Sequence, residues 1–197
     1  CFVMAWEWRE DFHTAVRKFF SRPLRSVFNN LFFAMPLISS MTLTATLAII
    51  YSQEAVGIPT GQPQLPPNPY ETFLNLAYAP VVEELGFRFI PIGFLIILYV
   101  FLFRKNVTGL STGGNRLKLF LTALIYPEGA KKMAGLKNVS EYGIWKGISL
   151  GEWAMVVATS TVFGFAHVLS GIGWEIGKVT STFVQGIFFA FIYLAYG

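Results

Sequence analysis

Cysteine, histidine and charge are all scarce in this chain. Cys1 is the only cysteine in 197 residues, which excludes an intramolecular disulfide and any cysteine-built metal cluster. Histidine occurs only at positions 13 and 167, and no HExxH pair is present. Charged residues make up 13% of the chain, too few to coat a soluble domain of this size. Internal repeats, low-complexity tracts and a separable soluble domain are missing too. So is the basic, apolar and small-residue order of a secretory signal peptide at the start.

Apolar residues fill the remainder: 54% of the chain is hydrophobic and 17% aromatic. Several apolar runs approach the roughly 20 residues that cross a hydrocarbon core. The composition therefore gives an all-α, polytopic transmembrane helical bundle, read as one domain over residues 1–197. The net charge of +4 would suit nucleic acid, but the basic residues cluster where apolar runs end, as the positive-inside rule expects. Membrane lipid is the expected partner, with no nucleic acid. Cys1 could mark a lipoprotein, but a start without Met reads more simply as the interior of a longer chain. Gly197 is an equally abrupt end.

Within residues 1–28, Trp6 to Arg25 mixes aromatic and basic residues in the pattern of an amphipathic helix at the cytoplasmic surface, with His13 as an interfacial residue. Leu31 to Tyr51 is the first spanning candidate. The proline-rich segment Ser52 to Asn68 has Glu54 and no Lys or Arg, which places it outside and the N-terminus in the cytoplasm. Tyr70 to Phe103 is too long for one span, and Pro80 and Pro91 should bend or break it. The expectation is a helix carrying the carboxylates, followed by a second apolar piece from Ile90 to Phe103. Arg104 to Lys118 reads as a cytoplasmic loop, Leu119 to Tyr126 as a re-entrant or interfacial piece, and Pro127 to Lys146 as cytoplasmic again. Trp153 to Leu169 and Lys178 to Tyr196 are the last spans, joined by the turn Gly171 to Gly177. Ser160 with Gly164, and Gly173 with Gly177, have the small-xxx-small spacing of closely approaching helices.

Charge inside these apolar runs marks the chemistry. Glu83 and Glu84 are adjacent, and Arg88 follows Glu84 at i,i+4, the favourable order for a helical ion pair. A charge at mid-membrane costs about 2.5–3.5 kcal/mol, so three unpaired would cost about 8–10 kcal/mol. Glu84 with Arg88 offsets part of that. Glu83 lies about 100° round the helix with no local partner and reads as a candidate general base. His167, in Phe163-Gly164-Phe165-Ala166-His167, is the only histidine inside an expected span. Phe163 lies one turn before it on the same face, and Gly164 and Ala166 leave room for another helix. Glu83 and His167 on facing helices could hold a water for peptide-bond hydrolysis, the acid taking its proton and the imidazole orienting it. The residues by themselves leave hydrolysis evenly matched with ion or proton transport, and structural roles behind both.

Glu83-Glu84-Leu85-Gly86-Phe87-Arg88 matches an EExxxR motif, and Phe163 to His167 an FxxxH motif. In these motifs, their order and their membrane placement, the chain from about Tyr70 onward resembles the CAAX prenyl protease and bacteriocin-processing (CPBP, or Abi) family. The resemblance implies an intramembrane endopeptidase acting on a membrane-associated, in some members prenylated, substrate. It assigns water activation to Glu83 with His167 and support to Glu84 and Arg88; Phe163, whose ring could fix the imidazole's orientation, is also a candidate substrate contact. It assigns no cofactor. A divalent metal such as zinc stays open, for which Glu83, Glu84 and His167 are the ligands this chain could offer. The family also places a later histidine, in HxxxN or HxxxD, on a further helix, and no histidine follows His167. The fold expected is thus a CAAX-protease-like bundle short of its last helix or helices. Two other functions stand beside the endopeptidase: a catalytically silent relative serving as structural subunit or chaperone of a membrane complex, and a proton-coupled transporter.

Overall fold

The computed structural model describes residues 31–103, 113–171 and 173–196, with Thr14 and Arg17 besides. The expected interfacial helix, His13 and the first part of the 104–118 segment lie outside the described residues. Two compact units, 1–43 and 44–197, divide the chain, and the features below belong to the second unless stated. Among the described residues there is no strand, only an isolated bridge between Gly61 and Trp174. The all-α bundle expected from composition is what the chain forms.

Helix α1, Leu31–Ala55, crosses the border between the units. Ala34–Ala55, Leu150–Leu169 and Gly177–Tyr196 are each long and apolar enough to cross a membrane. Pro59 to Gln64 runs beside the turn that precedes the last of these helices. The Pro59 carbonyl accepts from Gly177 N at 2.9 Å and the Thr60 carbonyl from Glu175 N at 3.2 Å. Gly61 and Gly173 have φ of 67° and 94°, and each faces the backbone of the other segment, so a side chain at either would be both strained and obstructed. Gly173 and Gly177 therefore admit this loop, whereas the sequence spacing suggested helix packing. Thr60 Oγ1, buried in the same corner, donates to the exposed Glu54 carboxylate at 2.8 Å.

Helix α2, Pro69–Glu84, starts with Asn68 accepting from Tyr70 N and with proline in its first turn. Pro80 sits within it without ending it. The break comes at Leu85–Phe89, a π-helical turn, before α3 resumes over Ile90–Phe103. Pro91 supplies the reason: it has no N–H, and its ring would collide with the carbonyl four residues back in a regular helix. Widening the turn relieves the collision, and Ile90 N donates to the Leu85 carbonyl instead.

Helix α4, Gly113–Ile125, takes in Gly113 to Lys118, which the basic composition had marked as loop. Arg and Lys are good helix formers, and Leu119 and Ala123 on the same helix join the core. The polar stretch from Pro127 to Lys146 holds helices α5, Pro127–Met133, and α6, Val139–Gly147. Glu128, Lys131 and Asn138 are buried there because each is paired. Glu128 accepts from Val139 N and Ser140 N at 3.0 and 2.9 Å, and Asn138 caps α6. Lys131 donates to Glu152 at 2.8 Å and to the Gly147 carbonyl. Glu152 closes a capping box with Ser149 at the start of α7, Leu150–Leu169.

Helix α8, Gly177–Tyr196, packs along α7. A Cβ on Gly164 would lie 2.8 Å from the Val179 carbonyl, and one on Gly186 2.9 Å from the Ser160 side chain. The Ser160 and Gly164 spacing thus serves the close helix approach expected of it. Near the other end of α8, Tyr193 donates to the Leu124 carbonyl at 2.6 Å, one of the carbonyls left over where Pro127 stops α4. Ile92, Ile96, Leu119, Ala123, Val156, Ala190 and Leu194 fill the core between these helices.

Candidate active site

Glu83 is the penultimate residue of α2, immediately before the π-turn, and His167 lies near the end of α7. They face each other: Glu83 Oε1 is 3.7 Å from His167 Nε2. That is beyond a direct hydrogen bond, yet a water at ~2.8 Å from both atoms fits beside the gap. Both side chains keep a path to the outside, with 32% of the Glu83 side chain and 16% of the His167 side chain exposed.

The imidazole is held from behind. His167 Nδ1 lies 2.9 Å from the Phe163 carbonyl oxygen, which can only accept, so Nδ1 carries a proton and donates. In the neutral ring Nε2 then presents its lone pair towards Glu83. The Phe163 ring meets the imidazole edge to face, centroids 4.6 Å apart. With 1% exposure, Phe163 is enclosed by His167, Phe87 at 5.1 Å and the Arg88 guanidinium at 4.2 Å. It has no free face for substrate and acts here as the platform under the imidazole.

Arg88 is 1% exposed. Its Nη1 lies 3.4 Å from Glu84 Oε1 and donates to the Glu83 backbone carbonyl, also at 3.4 Å. The guanidinium also lies over Phe189, 5.3 Å from the ring centroid. The π-turn makes this reach possible, since the wider coil brings the side chain at 88 back over the carbonyl five residues earlier. The pair is unequal: Arg88 is enclosed while 45% of the Glu84 side chain is exposed. Arg88 thus ties the backbone under Glu83 to the Phe163 platform under His167.

The sequence-predicted residues converge: Glu83, His167, Phe163, Arg88 and Glu84 form one connected group. Sequence reasoning missed Lys178, in the first turn of α8, which interacts electrostatically with Glu83. Its position at the end of an apolar run looked like an ordinary flanking charge. A zinc ion needs three or four donors. Among the described residues no three His, Cys, Asp or Glu side chains are grouped to hold one. Glu84 is drawn to Arg88, which leaves Glu83 and His167, so the donor set does not fit a protein-held metal and no step below uses one.

A family model described as type II CAAX prenyl endopeptidase Rce1-like matches residues 66–197. That span takes in α2, the π-turn and every helix after it, and with them both ends of the Glu83–His167 pair. No curated protein and no solved structure matches the chain.

Proposed function

Because the chain belongs to the Rce1-like family of type II CAAX prenyl endopeptidases, we propose that it is an intramembrane endopeptidase that hydrolyses a peptide bond of a membrane-associated, prenylated substrate. The observation that carries this reading is the Glu83–His167 pair, 3.7 Å apart and partly open. A water beside it gives one hydrogen to the Glu83 carboxylate and the other to Nε2, leaving an oxygen lone pair for the scissile carbonyl carbon. Glu83 takes the proton as the new C–O bond forms and returns it to the amide nitrogen as the C–N bond breaks. His167 keeps its Nδ1 proton on the Phe163 carbonyl throughout, which fixes which ring nitrogen faces the water. Arg88 and Glu84 position this pair without touching the reacting atoms.

Removing a general base costs about 10²–10⁴ in rate. Glu83→Gln and His167→Ala are each expected to lose cleavage of a lipidated reporter peptide by at least that lower factor, while still inserting into membranes. Cleavage by both variants at the wild-type rate would refute the assignment. Wild-type protein that inserts but cleaves no CAAX-type peptide would support the silent-relative reading.

A further inference from the structure

Lys178 has no part in the steps above, yet it sits beside them. Gly164, one turn before His167, packs on the Val179 carbonyl, which brings the first turn of α8 alongside the imidazole. The Lys178 ammonium lies 4.0 Å from the centre of the Trp174 ring and is within electrostatic range of Glu83. Among the described residues no carboxylate comes within ion-pairing distance of it; Glu83 and Glu84 are directed to His167 and Arg88. The ammonium is also held in place. Trp174 is fixed by its bridge to Gly61, and Glu175 and Gly177 after it donate to the Thr60 and Pro59 carbonyls. A lysine serving only as a membrane-end anchor would have no need of such a mount, because its stem can bend freely to water.

We propose that Lys178 binds the free α-carboxylate of the substrate and so sets how far from the chain's end the bond is cut. This rests on the endopeptidase reading. A half-buried ammonium supported by an indole, next to the general base, has the charge and the donors for a carboxylate. An extended chain advances roughly 3.3–3.6 Å per residue. A carboxylate two or three residues beyond the scissile bond would therefore lie roughly 7–11 Å from the attacking water, on the α8 side of the pocket. An amide or an internal segment carries no such charge.

The test compares two lipidated peptides, identical except for a free carboxylate or an amide at the C-terminus, on the full chain in detergent micelles. Wild type should favour the free acid about tenfold or more in kcat/KM, chiefly through KM. Lys178→Ala should lose that preference by slowing the acid and not the amide, and Lys178→Arg should keep it. Lys178→Met, which retains most of the stem, should behave like Lys178→Ala and guards against a folding defect. Equal loss on both peptides in the alanine and methionine variants would overturn the proposal, as would a wild type indifferent to the two. If wild type cleaves neither peptide, the endopeptidase reading fails, and fluorescence anisotropy of the labelled peptides decides the anchor separately. Tighter binding of the acid, lost in Lys178→Met, would uphold it, and equal binding would overturn it.

Discussion

Arg88 shows how one residue reconciles a buried charge with an apolar surround. Its Nη1 meets a carboxylate and a backbone carbonyl, and the guanidinium lies over Phe163 and Phe189, while the buried Nη2 has no hydrogen-bond partner among the described residues. Lysine would keep the charge but not the flat stacking surface. Arg88→Lys should therefore destabilise the protein by about 1–2 kcal/mol through lost cation–π contact. Arg88→Ala should cost more, about 2–5 kcal/mol, since the space beneath Glu83 is emptied and the enclosing rings lose their packing. Thermal unfolding in detergent would read both, and an unchanged midpoint for Arg88→Ala would contradict this account. Glu84, half in contact with the surroundings, can be hydrated when its partner goes, so the larger part of that loss belongs to the arginine side.

Among the elements, the π-turn from Leu85 to Phe89 does the most positioning. It contains one residue more than an α-helical turn would, so removing a residue takes away the slack that accommodates Pro91 and that lets Arg88 reach back to the Glu83 carbonyl. Deleting Gly86 is expected to abolish cleavage while leaving helical content by circular dichroism intact. Gly86→Ala is the matched control: nothing lies within 4 Å of the added Cβ, so it should cleave as the wild type does. Activity that survives the deletion would show that the register after Glu84 is unimportant.

On the scale of the whole molecule, the second unit is joined at the α5–α6–α7 corner by buried charge rather than by apolar packing alone. Lys131 with Glu152 at 2.8 Å, and Glu128 on the first N–H groups of α6, fix three helices at one point far along α7 from His167. Breaking such a pair leaves a buried ion without a partner, which costs about 3–5 kcal/mol. Glu152→Ala, which also removes half of the capping box, should lower the unfolding temperature clearly. The fraction that remains folded should keep its normal turnover. A stable Glu152→Ala protein with slowed turnover would mean that the corner acts on the site itself.

Much of this was legible from residue order. Apolar run length fixed the helical membrane class, Pro91 marked the broken rod, and EExxxR with FxxxH picked out the residues that the fold brings together, because each depends on neighbours within a turn or two along the chain. Burial was less legible. Polarity made Pro127 to Lys146 read as a cytoplasmic segment with no sign of buried charge, since composition registers charge but not whether a distant partner neutralises it. Lys178 looked like a flanking charge for the same reason. Which faces meet was decided by tertiary structure alone. Helical spacing places Glu83 on one side of its own helix and His167 on one side of another, but the two are 84 positions apart in the numbering. Only the packing of Gly164 on Val179, the widened turn before Pro91 and the guanidinium between the two helices bring that acid and that imidazole to one opening.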